Sequence, residues 1–287
     1  MRFRVWGCRG SLAAPGHDTL RYGGNTSCVE VRLADGTLLV LDAGTGIRPL
    51  GVSLREEMPE TIHIFLSHLH LDHLQGLAFF APLWREDVDL HIWGPPSPTR
   101  TLERRVARYL SPPLFPVPLE EIPSTPAFHD ARGNLGIGDA LVTARPVSHQ
   151  GPTVGYRIEE GGRSLAYIPD HEPALGIPLA QAEPAWISGH FVAHGVDVLL
   201  HDAQYTDDEY PAHIGWGHSS TSDVVTFASI AQVEQLVMFH HDPYHSDDDL
   251  ERILQTARGM WTGPTPPILA AEGMEMELLP RAESATA

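Results

Sequence analysis

Residues 62–73 of this 287-residue chain read Ile-His-Ile-Phe-Leu-Ser-His-Leu-His-Leu-Asp-His. The apolar first half predicts a buried strand, and four candidate metal ligands follow it at His68, His70, Asp72 and His73. Imidazole and carboxylate groups suit Zn²⁺ and its first-row neighbours. Two alternate histidines can hold one ion while the Asp-His pair turns toward another, so the stretch predicts a binuclear metal site. The alternative, histidines without a metal, requires this spacing to arise by chance in a chain with 17 His.

The composition limits the partners and the compartment. The net charge is −18, and all 19 cationic residues are Arg, which disfavours stable binding to nucleic acid or to an anionic membrane. Cys8 and Cys28 form no CxxC pair, which favours a reduced chain but leaves a disulfide open. Residues 1–7 alternate like a strand rather than a signal peptide, and no apolar run reaches membrane-spanning length. We therefore expect a cytoplasmic protein without a membrane partner.

Periodicity predicts a single domain over residues 1–279 and a flexible tail over 280–287. The predicted strands cover 2–7, 28–33, 38–41, 62–66, 90–93, 141–147, 153–158, 164–168, 196–201 and 235–240. The predicted helices cover 74–83, 98–110, a segment from about Ser219, and 247–258. Capping boxes are expected at Ser220 with Asp223 and at Ser246 with Asp249.

The predicted helix 98–110 carries Arg100, Arg104 and Arg108 at every fourth position. A solvated helix face is the simpler interpretation of this row, and a surface that meets substrate phosphates is the alternative. The following segment, 111–126, is dense in proline and predicts an ordered loop. Such a loop can cover a small substrate.

Three later strands also end in candidate ligands. His149 and Asp170 each follow a predicted strand, and the strand at 235–240 ends in His240 and His241. Strand ends can converge on one site, so these residues are candidates to complete the ligand set. Side chains alternate along a strand, so His240 and His241 point to opposite faces. Alternation alone does not show which of the two is the metal ligand.

The order His-x-His-x-Asp-His, then His, Asp and His, resembles that of the metallo-β-lactamase superfamily. Segments 7–11, 21–27 and 41–46 resemble the branch that holds phosphodiesterases and tRNA 3′-processing nucleases. The resemblance covers nearly the whole chain. It implies an α/β fold, namely a four-layer αββα sandwich of two mixed sheets flanked by helices, with the site at one edge.

The resemblance also implies two divalent metal ions, zinc first, with manganese or iron as alternatives. The implied ligands are His68, His70 and His149 for one ion, Asp72, His73 and His240 for the other, and Asp170 as the bridge. It thus favours His240 over His241. Asp42 matches an early Asp-x-Gly turn and is expected to fix the tautomer of a ligand histidine rather than to bind metal.

Two further residues resemble the proton donor of the nuclease branch. His218 matches the histidine of its Gly-His-Ser-Thr motif, and Asp202 matches its acidic residue. Asp202 would orient His218, which would protonate the leaving oxygen after attack by a metal-bound hydroxide. We count Asp72 with them as catalytic. The alternative for His218 is a residue that merely precedes a helix cap.

The substrate is narrowed by spacing. Related tRNA-processing enzymes commonly carry an arm between the third metal histidine and the bridging aspartate, but here Asp170 follows His149 by only 21 positions. We therefore expect a small phosphodiester such as a 3′,5′-cyclic nucleotide. The alternatives are a tRNA 3′-endonuclease and a hydrolase of esters, thioesters or lactones, which would not need His218.

Diiron oxidoreductases of this fold usually carry an acid at the position of His70, which argues against redox chemistry. Dimeric relatives make a homodimer an open expectation.

Overall fold

Two seven-stranded β-sheets face each other in this computed structural model, which describes residues 1–281. In chain order the strands are β1 (Arg2–Gly7), β2 (Cys28–Arg32), β3 (Leu38–Leu41), β4 (Thr61–Phe65), β5 (Asp89–Gly94), β6 (Ala127–Asp130), β7 (Gly133–Ile137), β8 (Ala140–Pro146), β9 (Val154–Glu160), β10 (Arg163–Ile168), β11 (Val198–Asp202), β12 (Gln235–Phe239), β13 (Thr265–Leu269) and β14 (Glu275–Glu277). The first sheet has the order β14-β1-β2-β3-β4-β5-β6, and the second has the order β13-β12-β11-β10-β9-β8-β7.

Helices cover the outer face of each sheet. They are α1 (Ile47–Ser53), α2 (Leu71–Leu74), α3 (Leu102–Val106), α4 (His190–Ala193), α5 (Thr221–Ile230) and α6 (Asp247–Met260). Ile47 and Leu102 join an apolar cluster with the first sheet, while Phe227 and Leu250 join one with the second. A third cluster fills the space between the sheets. The predicted four-layer αββα sandwich is confirmed.

Each sheet is half antiparallel and half parallel, and the parallel halves determine where the site lies. Strands β3 to β6 run parallel in the first sheet, and β10 to β13 run parallel in the second. The carboxyl ends of parallel strands meet at one edge of a sheet, which is where ligands bind in such folds. The loops after β3, β4, β10, β11 and β12 are therefore brought to a common edge.

Two predicted helices are shorter than expected. The segment 74–83 is not one helix, because α2 is followed by 3₁₀ turns at Leu77–Phe79 and Ala81–Trp84. The Gly76 N–H donates to the Ala43 carbonyl outside the segment, and Pro82 has no N–H to donate. Within 98–110 only α3 is helical, since the Thr101 side chain accepts the Arg104 N–H and so begins the helix at Leu102.

Four strands, β6, β7, β13 and β14, were not predicted. All four are outermost in their sheets. An edge strand pairs on one side only and needs no strong apolar alternation, and β13 even contains Pro266 and Pro267. Their pairing depends on the neighbouring strand rather than on a local pattern.

The structure also bears on the predicted capping boxes, the two cysteines and membrane-spanning helices. Ser246 and Asp249 form the expected capping box, whereas at Ser220 the described residues show only the bond from the Asp223 N–H. Cys8 and Cys28 are buried free thiols. In the described part of the chain, no helix is both long enough and apolar enough to span a membrane.

The start of the predicted tail contacts the sandwich. The Arg281 N–H donates to the Gly161 carbonyl at 3.0 Å, and its guanidinium donates to Asp197 at 2.8 Å. Residues 282–287 of the predicted tail lie outside the described residues.

Candidate metal centre

The first candidate ligand group joins both sheets. Its donor atoms, from His68, His70, His149 and Asp170, all lie within 4.8 Å of one another. His149 Nε2 is 3.2 Å from His70 Nδ1. His68 is buried and His70 is exposed, so this group opens to solvent on the His70 side.

The second candidate group is buried throughout. It consists of Asp72, His73, Asp170 and His240, whose donor atoms also lie within 4.8 Å of one another. His73 Nε2 is 3.1 Å from Asp72 Oδ2, and His240 Nε2 is 3.2 Å from the same oxygen. All seven ligands predicted from the sequence are therefore brought together in these two groups.

Asp170 presents one oxygen to each group. Its Oδ2 lies 3.6 Å from both His68 Nε2 and His149 Nε2. Its Oδ1 lies 3.0 Å from His73 Nε2 and 3.3 Å from His240 Nε2. This is the geometry of a bridging carboxylate, because each oxygen can serve a different ion.

The donor set fits two divalent ions. His68 Nε2 and Asp170 Oδ1 are buried and have no hydrogen-bond partner among the described residues. Buried polar atoms are almost always paired, so one such atom facing each ligand group indicates a missing ligand in each group. Three histidines with one shared carboxylate, and two histidines with two carboxylates, are donor sets that suit Zn²⁺, Mn²⁺ or Fe²⁺.

Three ligand histidines have their second ring nitrogen held by a fixed partner. His73 Nδ1 lies 2.8 Å from Asp42 Oδ2, as expected for Asp42. His149 Nδ1 lies 2.7 Å from the Gly217 carbonyl, and His240 Nδ1 lies 2.9 Å from Gln204 Oε1. Such contacts set the tautomer and the ring orientation. The sequence reasoning missed Gln204 and Gly217, and no local signal marks either as a partner of a distant histidine.

The structure brings His240, not His241, to the site. His240 follows β12 in the left-handed region, with a φ of 59°, while His241 Nε2 donates to the Ala270 carbonyl at 2.9 Å. Gly10 permits the position of His240, because a Cβ at residue 10 would lie 2.3 Å from His240 Nδ1. The next residue, Ser11, donates its N–H to Asp72 Oδ2 at 2.8 Å.

Asp202 and His218 form a pair beside the two groups. Asp202 Oδ2 lies 2.7 Å from His218 Nδ1, and the His218 ring stacks on that of His240 at 5.0 Å. Burial disfavours the charged imidazole, but the Asp202 carboxylate outweighs it and raises the pKa of His218 to about 9. Backbone N–H groups of His171, Gln204 and Ser219 hold the same carboxylate. The pair thus has the geometry of a held proton donor.

Known proteins resemble this chain over most of its length. The family described as "Beta-lactamase superfamily domain" matches residues 37–241. The chain is 26% identical to the "Ribonuclease Z" of Myxococcus xanthus, over 88% of this chain and 92% of that protein.

Solved structures share the fold. The metallo-beta-lactamase fold protein YhfI from Bacillus subtilis superposes with a TM-score of 0.69 at 18% identity, over 96% of this chain and 99% of that one. A diphosphatase from the PhnP family superposes with a TM-score of 0.68 at 20% identity, over 98% of this chain and 99% of that one. The family match over residues 37–241 confirms the predicted superfamily. The chain therefore belongs to the beta-lactamase superfamily, as a metal-dependent hydrolase.

Proposed function

We propose that this protein hydrolyses a small phosphodiester, such as a 3′,5′-cyclic nucleotide, with two zinc ions in the two ligand groups. The observation that carries the proposal is the contact between Asp202 and His218 at 2.7 Å, directly beside those groups. An alkoxide leaving group needs a proton as its bond to phosphorus breaks, and a positioned imidazole supplies one. Hydrolysis of a carboxylic ester or lactone has less need of this residue.

Each part of the proposed mechanism has a candidate residue in this chain. When bound, two divalent ions lower the pKa of water at the site toward neutrality and offset the negative charge of a phosphate group. Asp72 and Asp170 provide carboxylate ligands, and the Ser11 N–H holds Asp72 in place. Asp202 holds His218 through Nδ1, which leaves Nε2 as the nitrogen available to the leaving oxygen. His218 then gives up a proton while its ring stays fixed by the Asp202 contact.

The segment between His149 and Asp170 supports a small substrate. It contains β9 and β10, joined by the two residues Gly161 and Gly162. A turn of this length leaves no extension to grip a large RNA. The net charge of −18 also disfavours a long phosphate backbone, whose binding depends on clustered cations.

A second candidate function is cleavage of precursor tRNA at its 3′ end. The similarity to the Myxococcus xanthus ribonuclease Z favours it. It predicts cleavage of precursor tRNA with a steep dependence on salt, because several phosphates would be contacted.

The test is hydrolysis of a panel of 3′,5′-cyclic nucleotides by protein loaded with Zn²⁺ or Mn²⁺. We expect turnover by the wild type and its loss in His70→Ala. In His218→Ala we expect kcat to fall by about 10²- to 10⁴-fold, which is the range for a general acid. His194→Ala is the matched control, since His194 is an exposed histidine on the outer side of the second sheet.

Each other outcome points elsewhere. Turnover of precursor tRNA but not of cyclic nucleotides would favour the second candidate. Full activity of His218→Ala on esters or lactones would favour an acyl hydrolase and overturn the phosphodiester proposal.

A further inference from the structure

A recess of about 750 Å³ opens beside the first ligand group. His68 and His70 form part of its wall, so it is continuous with the metal centre. Pockets of about 300–1,000 Å³ accommodate small organic ligands. The recess is therefore large enough for parts of a substrate that extend beyond the bond being cleaved.

The recess carries positive charge in an acidic protein. The chain has 37 Asp and Glu against 19 Arg, yet the described lining of the recess includes Arg100, Arg105 and Arg108 and no carboxylate. Arg105 is committed to the fold, since its guanidinium donates to the Pro95 carbonyl. Within residues 1–281, Arg100 and Arg108 form no ion pair or side-chain hydrogen bond, and both are exposed. Two cationic groups are therefore free to contact a ligand.

The local backbone explains which arginines face the recess. The row Arg100, Arg104 and Arg108 would share a face only if residues 98–110 formed one helix. Because α3 begins at Leu102, Arg100 lies outside the helix and its facing is set by the preceding loop. Arg104 is exposed and does not line the recess. It thus provides a natural control of the same charge in the same segment.

We propose that Arg100 and Arg108 bind a second phosphate group, one that the enzyme does not attack, on a small phosphodiester substrate. This inference rests on the proposed function and narrows its substrate class. A planar guanidinium matches phosphate oxygens with two parallel hydrogen bonds, and such charge-assisted bonds are among the stronger ones in proteins. Leu71, Tyr109 and Leu114 in the same lining provide apolar surface for a base or sugar between the two phosphates.

The test compares two dinucleotides that differ by one phosphate, namely ApA and its 5′-phosphorylated form pApA. In the metal-loaded wild type we expect KM to be about tenfold lower for pApA than for ApA. A tenfold change is the smallest effect expected from one additional charge-assisted hydrogen bond. Arg100→Gln and Arg108→Gln should each reduce the ratio of the two KM values toward one. Arg104→Gln should keep the wild-type ratio. Equal KM values in the wild type, or an equal reduction in Arg104→Gln, would overturn the proposal.

Binding separates failure of this inference from failure of the proposed function. Calorimetry measures the affinity of both dinucleotides for metal-loaded His218→Ala, with and without each arginine substitution. The wild type could hydrolyse no dinucleotide and no cyclic nucleotide and still bind pApA more tightly than ApA, with the difference lost in Arg100→Gln and Arg108→Gln. That result would support the phosphate site and contradict the proposed function. If phosphodiesters are hydrolysed and pApA binds no more tightly than ApA, only the phosphate site falls.

Discussion

The two ring nitrogens of three candidate ligand histidines have different partners. In His73, His149 and His240, Nε2 faces the ligand groups while Nδ1 contacts Asp42, the Gly217 carbonyl and Gln204, respectively. A neutral imidazole can donate a lone pair to metal only through the nitrogen that carries no proton. The Nδ1 contacts therefore fix the tautomer and the orientation of each ring before a metal ion binds.

Substitution of Gln204 tests whether the Nδ1 contact of His240 contributes to metal affinity. In Gln204→Leu the His240 Nδ1–H loses its acceptor, and we expect the affinity of the second group for metal to fall by about 10- to 100-fold. Gln204→Glu keeps an acceptor oxygen for His240 but loses the donor to Asp242 Oδ2, so it should retain more of the affinity than Gln204→Leu. Competition with a chromophoric chelator measures both. An unchanged affinity in Gln204→Leu would show that His240 is oriented by packing alone.

At the scale of elements, Glu172 supports the part of the loop between β11 and α5 that leads to His218. Glu172 is buried and accepts hydrogen bonds from the Tyr210 hydroxyl and from the N–H groups of Gly215 and Gly217. Gly217 has a φ of +92°, and a Cβ there would lie 2.3 Å from His149 Nδ1. The loop thus places the Gly217 carbonyl against His149 and leads directly into His218.

Substitution of Glu172 tests this support. In Glu172→Gln an amide N–H₂ replaces one acceptor and faces N–H donors, so we expect the free energy of unfolding to fall by about 1–3 kcal/mol. Activity should fall as well, because His149 and His218 both depend on the loop. Tyr210→Phe removes the hydroxyl that donates to Glu172 and accepts the Gly176 N–H. It should cost about 2 kcal/mol, at about 1 kcal/mol for each hydrogen bond. Chemical denaturation gives both values, and equal stability of Glu172→Gln and wild type would contradict the role.

Secondary structure was predictable where the chain carries its own signal. The central strands have apolar runs, and Ser246 with Asp249 marks the start of α6 as expected. The edge strands β6, β7, β13 and β14 escaped prediction because their partners, not their own residues, make them strands. The helix predicted at 98–110 failed for the converse reason, since the Thr101 cap overrides the longer periodicity.

In the whole molecule, the candidate metal centre joins the two sheets. His68, His70, Asp72 and His73 follow β4 of the first sheet, whereas His149, Asp170 and His240 follow β8, β10 and β12 of the second. Each group contains residues from both sheets. Bound ions would therefore crosslink the halves of the sandwich in the folded state and not in the unfolded chain.

This arrangement predicts a large effect of metal on stability. Metal at 100 times its Kd should add about 2.7 kcal/mol to the free energy of unfolding, and Tm should rise by about 5–10 °C. Asp170→Asn should abolish most of the rise, because both groups share that carboxylate. Calorimetric scans with Zn²⁺ and with a chelator measure the difference. The same Tm under both conditions would mean that the groups bind no metal in the folded state.

The seven ligand positions and the Asp202–His218 pair could be named from the sequence because its motifs resemble those of the metallo-β-lactamase superfamily. The apolar pattern alone gave only candidates at strand ends. Only the tertiary structure shows the left-handed conformation of His240, the contacts of Gln204 and Glu172, and the facing of Arg100 toward the recess. These features depend on residues far apart in the chain that meet at the edge shared by the two sheets. Local periodicity determines most of the strands and helices, whereas long-range packing determines which side chains share a site.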